Sequence, residues 1–590
     1  MIDVSAKIQQ ARMLFESGRA EQARAFLARA LQQTPGNPDL SNAMSLVLLA
    51  MGQIDLAVYH AERAAQGRPQ DAGVLTNLGN ALAQKGKNEE AIAAYRRALA
   101  AGPDAGGTRL GLSHALRMNR RFTEAAEELS IALAQTPGDP DLVSSLAFLL
   151  LKIARVEEAV ALAREGVIRN PADLGCAAAL AHALNYTPGA SGAEVLGAHR
   201  AYGALLSARH PVRWASYGNT PDPARRIRVG LLSHDLSRHA ISHFIESFLR
   251  HRDRQSIEVF CYFTGPREDD VSARLKGLSD GWKHLRSIPH EAVADAIHSD
   301  TVDVLIELAG MAANHSLPVL AMRPAPVQVN YLGYPSTTGV AGINYRIVDS
   351  ATDPAGAEAD CNEALVRIDP SFLCYQAPPD APPARPAPRP GQGVVFGSFN
   401  SAPKINHEVV ETWATLLRKT PHSRLLLKAL EFDDPRLAPD LIARFENAGI
   451  APERIEIVKL VAGYSDHLKL YHRVDIALDP FPYNGTTTTF EALFMGVPVV
   501  TVGGDRHVSR VSAMILGRLG LAELIASGRE GYLAIAESLA SDVSRRSVLH
   551  SSIRQRLLSS VLCDGPAFGG RMDAALRFMW RTWCGSRGAV

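Results

Sequence analysis

Cysteine is scarce in this 590-residue chain, and the six that occur (Cys176, Cys261, Cys361, Cys374, Cys563 and Cys584) form no C-x-x-C pair. Such scatter excludes a disulfide framework and a structural zinc site, and it suits a reducing, cytoplasmic setting. Net charge is nearly absent as well: 62 basic and 61 acidic residues leave +1. The chain therefore lacks the long-range field that gathers nucleic acid or an anionic membrane surface. No apolar run is long enough to span a bilayer. The first residues, MIDVSAKIQQARMLFESGRA, carry Asp3, Glu16 and Glu21 and lack the basic, apolar and small-residue order of a secretory leader. G-x-G-x-x-G is missing too, which removes the usual dinucleotide fingerprint. What is present is ordinary globular composition, 46% hydrophobic and 21% charged. The length predicts roughly three or four compact units.

The first third is periodic. Pro35, Pro69, Pro103, Pro137 and Pro171 stand 34 residues apart, as do Ala23, Ala57, Ala91, Ala125 and Ala159. Gly18, Gly52 and Gly86 form a third series, continued in register by Arg120 and Ala154. One unit, GKNEEAIAAYRRALAAGPD (86–104), shows the physics. Gly86 permits a tight turn between two helices, Ala91 lets their backbones approach, Tyr95 and Leu99 fill the space beyond, and Pro103 ends the helix. This pattern resembles the tetratricopeptide repeat, which stacks into a superhelical solenoid with a partner-binding groove. About five repeats cover residues 1–185. In relatives with long arrays, asparagines line the groove and grip peptide backbone. Asn77 and Asn80 fit that register, but its other positions read Ala43, Gly111 and Ser145, and Leu46, His114 and Phe148, so the ladder is broken.

Beyond about residue 225 the period changes. IRVGLLS, IEVFCYFTG, VDVLIELAG, VQVNYLGYP and YRIVDS alternate with helical stretches; after a proline-rich segment the alternation resumes with VVFGSFN, SRLLLKA, IEIVKLV, VDIALDP and VPVVTVGG. Continuous apolar runs between helices predict buried parallel strands. The expected architecture is a helical solenoid (1–185), a helical bridge (186–224), a first Rossmann-like half on the acceptor side (225–376), a stiff proline linker (377–393) and a second Rossmann-like half that binds a nucleotide-sugar (394–590).

The most informative segment is VDIALDPFPYNGTTTTFEALFMGVPVVTVGG (474–504). A buried strand ends at Asp479, turns through Gly485 and enters a helix at Thr486, Thr487, Thr488 and Thr489. Their hydroxyls are expected to cap that helix, whose positive end suits a diphosphate, with Glu491 placed for ribose hydroxyls. Lys404, in GSFNSAPKIN, follows the first strand of the same half and can neutralise a departing diphosphate. In the first half, SHDLSRHAISHF sets His239 and His243 four apart, without the partners of a zinc site. Asp303 and Glu307 flank the strand VDVLIELAG and are expected to reach the same cleft or to serve as structural carboxylates. D-x-D, with which metal-dependent sugar transferases hold a divalent ion, occurs only as Asp139-Pro-Asp141, so no metal is expected.

RPAPVQVNYLGYPSTTG (323–339), FGSFNSAPKI (396–405), DPFPYNGTTTTFEALFMGVPVVTVGGDRHVSRV (479–511) and the terminal FMWRTWC together resemble the protein O-GlcNAc transferases and the plant SPINDLY-type protein O-fucosyltransferases. The resemblance implies a GT-B fold and an inverting, metal-independent transfer to serine or threonine. Carried over by position, Lys404 matches the diphosphate-stabilising lysine, Thr487 and Thr488 the phosphate-contacting threonines, and Glu491 the ribose-holding acid. His239 matches an active-site histidine near the acceptor, and His467 one near the base. Asp303 stands where animal relatives have a second histidine, and Ser401 where they have a glutamine. FPYNGTTTTFEA is closer to the SPINDLY-like branch. The expected function is a cytoplasmic protein glycosyltransferase using UDP-GlcNAc, with client proteins, such as a dedicated flagellin, held by the repeats. His239 and Asp303 are the candidates for general base, beside water and the donor phosphate. GDP-fucose or a CMP-nonulosonic acid is the alternative donor, and a non-catalytic repeat scaffold the alternative class.

Overall fold

The computed structural model of the chain describes residues 3–102, 107–379, 381–386 and 393–587. Five helix pairs come first: Val4–Glu16 with Ala20–Gln33, Pro38–Ala50 with Ile54–Gly67, Ala72–Gln84 with Asn88–Ala101, Thr108–Met118 with Phe122–Gln135, and Pro140–Lys152 with Val156–Arg169. The 34-residue register reappears in the backbone. Gly18, Gly52, Gly86, Arg120 and Ala154, one in each inter-helix turn, all take left-handed φ between 58° and 80°. Glycine adopts this conformation freely, whereas Arg120 and Ala154 hold it against a Cβ clash. The five register alanines are completely buried. Of the register prolines, Pro103 lies outside the described residues.

Tyr95 accounts for one break in the asparagine ladder, at Gly111. Its ring lies between Gly79 and Gly111: a Cβ on Gly79 would stand 2.6 Å from the ring, and one on Gly111 2.8 Å from it. The Tyr95 phenol donates to Asn80 Oδ1 at 2.7 Å, and Asn77 donates its amide N–H to Asn42 at 2.9 Å. The two ladder-like asparagines thus serve the packing of the repeats.

The chain divides into two compact units, Met1–Ile153 with Asp433–Ala438, and Ala154–Phe432 with Pro439–Val590. The division falls inside the fifth repeat, short of residue 185. Ala177 and Ala181 of helix Leu174–Ala183, and Tyr202 and Leu206 of helix Gly192–Arg209, share one core with Leu232, Tyr262, Val302 and Leu305. The expected bridge is therefore a layer of the first α/β half.

Among the described residues that half carries seven parallel strands: β1 Ile227–Ser233, β2 Ile257–Phe263, β3 Gly281–His284, β4 Val304–Glu307, β5 Val327–Asn330, β6 Tyr345–Val348 and β7 Ala364–Arg367. Their order is β3-β2-β1-β4-β5-β6-β7. The second half carries six: β8 Val395–Ser398, β9 Arg424–Lys428, β10 Ile455–Val458, β11 Ile476–Leu478, β12 Val499–Val502 and β13 Ile525–Ala526, in the order β10-β9-β8-β11-β12-β13. Strand order reverses between β1 and β4 and again between β8 and β11. Crevices at the carboxyl ends of such reversals are where doubly wound sheets take ligands.

Two expectations need correction. The proline segment is not a spacer standing clear of the fold. Arg385 pairs with Asp475 and donates its backbone N–H to Met495 at 2.8 Å, while His472 bonds the Pro383 carbonyl at 2.9 Å. Residues 381–386 are thereby strapped along the second half; 380 and 387–392 lie outside the described residues. Nor does the chain end on the second sheet. In the terminal helix Gly565–Arg587, Trp580 donates to the Asp222 carbonyl at 2.9 Å, and Asp573 accepts from the Asp253 N–H at 2.7 Å. The helix returns to the first half.

Two substitutions test this reading of the repeats by denaturant unfolding. Ala154→Gly is expected to stabilise by about 1 kcal/mol by removing the left-handed penalty. Gly79→Ala is expected to destabilise by about 1–3 kcal/mol by overpacking a ring that cannot move aside.

Candidate functional site

The site is built at the β8/β11 reversal. β11 runs into Asp479, a fully buried carboxylate whose burial pushes its pKa up against the hydrogen bonds it receives. One oxygen accepts the Gly485 N–H at 2.6 Å, and the other accepts the Thr501 hydroxyl at 2.7 Å. This clamp folds residues 480–485 back so that helix Thr487–Phe494 begins at the carboxyl end of the sheet. Gly485 is required there, since a Cβ would stand 2.6 Å from the Thr488 hydroxyl and 2.7 Å from that of Thr489.

The threonine hydroxyls do not cap the helix as expected. Thr486 makes no side-chain cap bond. Thr488 Oγ1 donates to Asn400 Oδ1 at 3.1 Å, and Thr489 Oγ1 meets Ser512 Oγ at 2.8 Å. The positive end of the helix thus begins without a side-chain cap from Thr486, an arrangement that suits an anion.

Lys404 ends the short turn Ala402–Lys404 after β8 and reaches this helix start. Its ammonium donates to the Asn484 carbonyl at 2.7 Å and to Asn400 Oδ1 at 3.3 Å, and lies 4.3 Å from the centre of the Tyr483 ring. Burial lowers its pKa to about 8, opposed by the nearby Asp479 charge. Lys404 forms no ion pair among the described residues; its immediate partners are neutral.

Glu491, one turn into the helix, binds the adjoining aromatic cluster. Tyr464 donates to Oε1 at 2.9 Å, and His467 Nε2 lies 2.9 Å from Oε2. Burial drives this carboxyl up, but His467 and the hydrogen bonds outweigh it and hold its pKa below the ordinary value. Phe399 and Tyr471 pack around His467, whose Nδ1 is buried with no hydrogen-bond partner among the described residues. From the first half, His243 stacks on Tyr464 with ring centres 5.0 Å apart, closing the cluster across the two sheets. Burial lowers the His243 pKa.

His239 lies in the loop after β1, half-exposed, with Nδ1 3.9 Å from Asp235. Asp303 is different. It immediately precedes β4 instead of ending it, so it sits at the amino edge of the sheet, away from the crevice. It is fully buried, paired with Arg225, and accepts the Asn219 amide at 2.6 Å and the Arg228 N–H at 2.7 Å. The expectation that Asp303 is catalytic is therefore replaced by a structural one. Glu307 does end β4, but it accepts the Ala309, Gly310 and Ser316 N–H groups and shapes that loop. Burial raises its pKa to about 7.

The structure thus brings Lys404, Gly485, Thr486, Thr487, Thr488, Glu491 and His467 to one reversal, sets His239 after β1 at the other, and leaves Asp303 outside. Sequence reasoning missed Asn400, Tyr464 and Tyr483. Only the placement of Asn400 two residues past a buried strand end hinted at a role.

Against this geometry, the sequence model of glycosyl transferase family 41 matches residues 206–376 and 387–572. The chain belongs to glycosyl transferase family 41. Tetratricopeptide-repeat models match residues 14–58, 42–106 and 110–173 of this family 41 member. A petunia protein named probable UDP-N-acetylglucosamine–peptide N-acetylglucosaminyltransferase SPINDLY is 40% identical over 407 residues, 68% of this chain and 44% of that one. The Caenorhabditis elegans UDP-N-acetylglucosamine–peptide N-acetylglucosaminyltransferase is 24% identical, covering 61% and 41%. This chain thus spans less than half the length of either relative. Among solved structures, a lysine-to-methionine mutant of the Thermobaculum terrenum O-GlcNAc transferase superposes with TM-score 0.76 and 28% identity, over 93% of this chain and 98% of that one.

The position of Asp303 yields a test. Asp303→Ala, which leaves the part-exposed Arg225 and the Asn219 amide without their acceptor, is expected to cost about 2 kcal/mol in denaturant unfolding. Donor turnover per folded molecule, and its pH profile, are expected to stay unchanged.

Proposed function

We propose that this chain transfers GlcNAc from UDP-GlcNAc to serine or threonine hydroxyls of client proteins, with inversion and without a metal ion. The observation that carries the reading is the meeting of an unneutralised Lys404 ammonium with the open N-terminus of helix Thr487–Phe494. Together they present positive charge where a nucleoside diphosphate accumulates negative charge on leaving. The names of the petunia and nematode relatives suggest the sugar and the acceptor class.

In this reading the uracil and ribose lie against the cluster of Phe399, Tyr464, His467 and Tyr471, organised by Glu491. The client hydroxyl attacks the anomeric carbon as its bond to the diphosphate breaks, and the electron pair leaves with the diphosphate. His239, at the rim of the first half, receives the hydroxyl proton. The repeats hold the client, and the setting is cytoplasmic; among the described residues no helix is long and apolar enough to cross a membrane.

Thermal unfolding with UDP, GDP or CMP, each with and without magnesium, tests the donor. UDP is expected to stabilise selectively and equally without magnesium, by about 2.7 kcal/mol at a hundredfold excess over Kd. Selective stabilisation by GDP or CMP would reassign the donor to fucose or a nonulosonic acid, and none would favour a non-catalytic scaffold. Lys404→Ala is expected to lower kcat roughly 100- to 1,000-fold without unfolding the protein. In the unsubstituted protein, kcat/KM for the donor should fall as pH rises through about 8, where Lys404 of the free protein loses its proton, and kcat should fall only at higher pH, because bound diphosphate holds that proton on.

A further inference from the structure

Asn400 is buried, 5% exposed, in the loop that joins β8 to Lys404. Its Nδ2 points to Ser398 Oγ at 3.4 Å, which turns Oδ1 the other way. That single oxygen then accepts from Lys404 Nζ at 3.3 Å and from Thr488 Oγ1 at 3.1 Å. The reverse amide orientation would aim two N–H donors at a cation and a hydroxyl, so the surroundings fix this one. Lys404 belongs to the β8 loop and Thr488 to the helix after β11, so Asn400 couples the two elements that make the diphosphate site.

We infer that Asn400 is a positioning residue, which uses one neutral oxygen to hold the Lys404 ammonium and the Thr488 hydroxyl on the same side of the departing diphosphate. The inference rests on the proposed role of Lys404. Neutrality matters as much as position. The groups facing the ammonium are the Asn484 carbonyl, the Tyr483 ring, Asn400 Oδ1 and, less directly, Asp479, which is already engaged by Gly485 and Thr501. An amide orients the ammonium and leaves its charge for the ligand, whereas a carboxylate at that point would neutralise it before the donor arrives.

The test compares the pH dependence of turnover in the full chain for Asn400→Asp, Asn400→Ala and Lys404→Ala, with UDP-GlcNAc as the donor and donor hydrolysis as the readout. Both Asn400 variants are expected to lose about 10- to 100-fold in kcat. Their alkaline limbs should move in opposite directions. Asn400→Asp stabilises the ammonium and shifts the limb above that of the unsubstituted protein, while Asn400→Ala removes an acceptor from it and shifts the limb below. A residue that only supports the loop would lower turnover without opposite displacements.

Limbs that coincide, or a kcat for Asn400→Asp equal to that of the unsubstituted protein, would overturn the inference. If Asn400→Asp fails to fold, the Asn400→Ala limb and a double-mutant cycle with Thr488→Val decide. Additive losses in that cycle reject the shared acceptor, and coupled losses support it. If Lys404→Ala turns over normally, the diphosphate reading itself fails. If Lys404→Ala is inactive while the Asn400 variants are normal, only this inference does.

Discussion

The geometry of the second half depends on one buried carboxylate. Asp479 follows β11, and its burial raises its pKa. The Gly485 N–H and the Thr501 hydroxyl make an anion tolerable there and fix the turn between them. The Asp479 carbonyl is braced too, accepting from Tyr532 at 3.2 Å, which in turn accepts from the Trp413 indole at 3.1 Å. This bracing sets where the Thr487 helix begins. A carboxylate buried in the core thus fixes the helix start on which the proposed diphosphate site rests.

Both sheets repeat one topological plan, and that plan decides which candidates share a site. A residue at the carboxyl end of a strand beside the reversal faces the crevice; the same residue type a few positions earlier faces the opposite edge. Asp303 and Glu307 show the distinction on one strand. Both are buried acids, yet Asp303 answers Arg225 at the amino edge while Glu307 holds the loop at the carboxyl edge. Chemistry and spacing alone made them equivalent candidates, and strand direction separates them.

Much of the fold was legible because period and burial are written in the sequence. The 34-residue register became five left-handed turns and five fully buried alanines, and the apolar runs became two parallel sheets. Within the site, Lys404, Thr488 and Glu491 were legible because each follows a strand end recognisable by composition. Less legible were the partners: that Thr488 turns to Asn400 instead of capping its helix, and that Glu491 is engaged by Tyr464 and His467. These depend on which side chains meet across 88, 27 and 24 residues of sequence, a relation that no local pattern encodes. The unit boundary was obscured similarly, because the last helices keep helical periodicity while packing into a Rossmann core.

The electrostatics connect these scales. A chain with net charge +1 has no general attraction for anions, so any affinity for a diphosphate must be local. Local charge is useful only if it is not already spent, and many of the described basic residues are held in ion pairs, as Arg225 is with Asp303 and Arg385 with Asp475. Lys404 is arranged differently, among carbonyl, amide and aromatic groups that orient an ammonium without cancelling it. The cost is visible in its pKa, lowered by burial to about 8. A diphosphate leaving group would relieve that cost by supplying the missing counter-charge. In the proposed reaction that interaction would strengthen as negative charge grows on the leaving oxygen, which is the condition for favouring a transition state over bound donor.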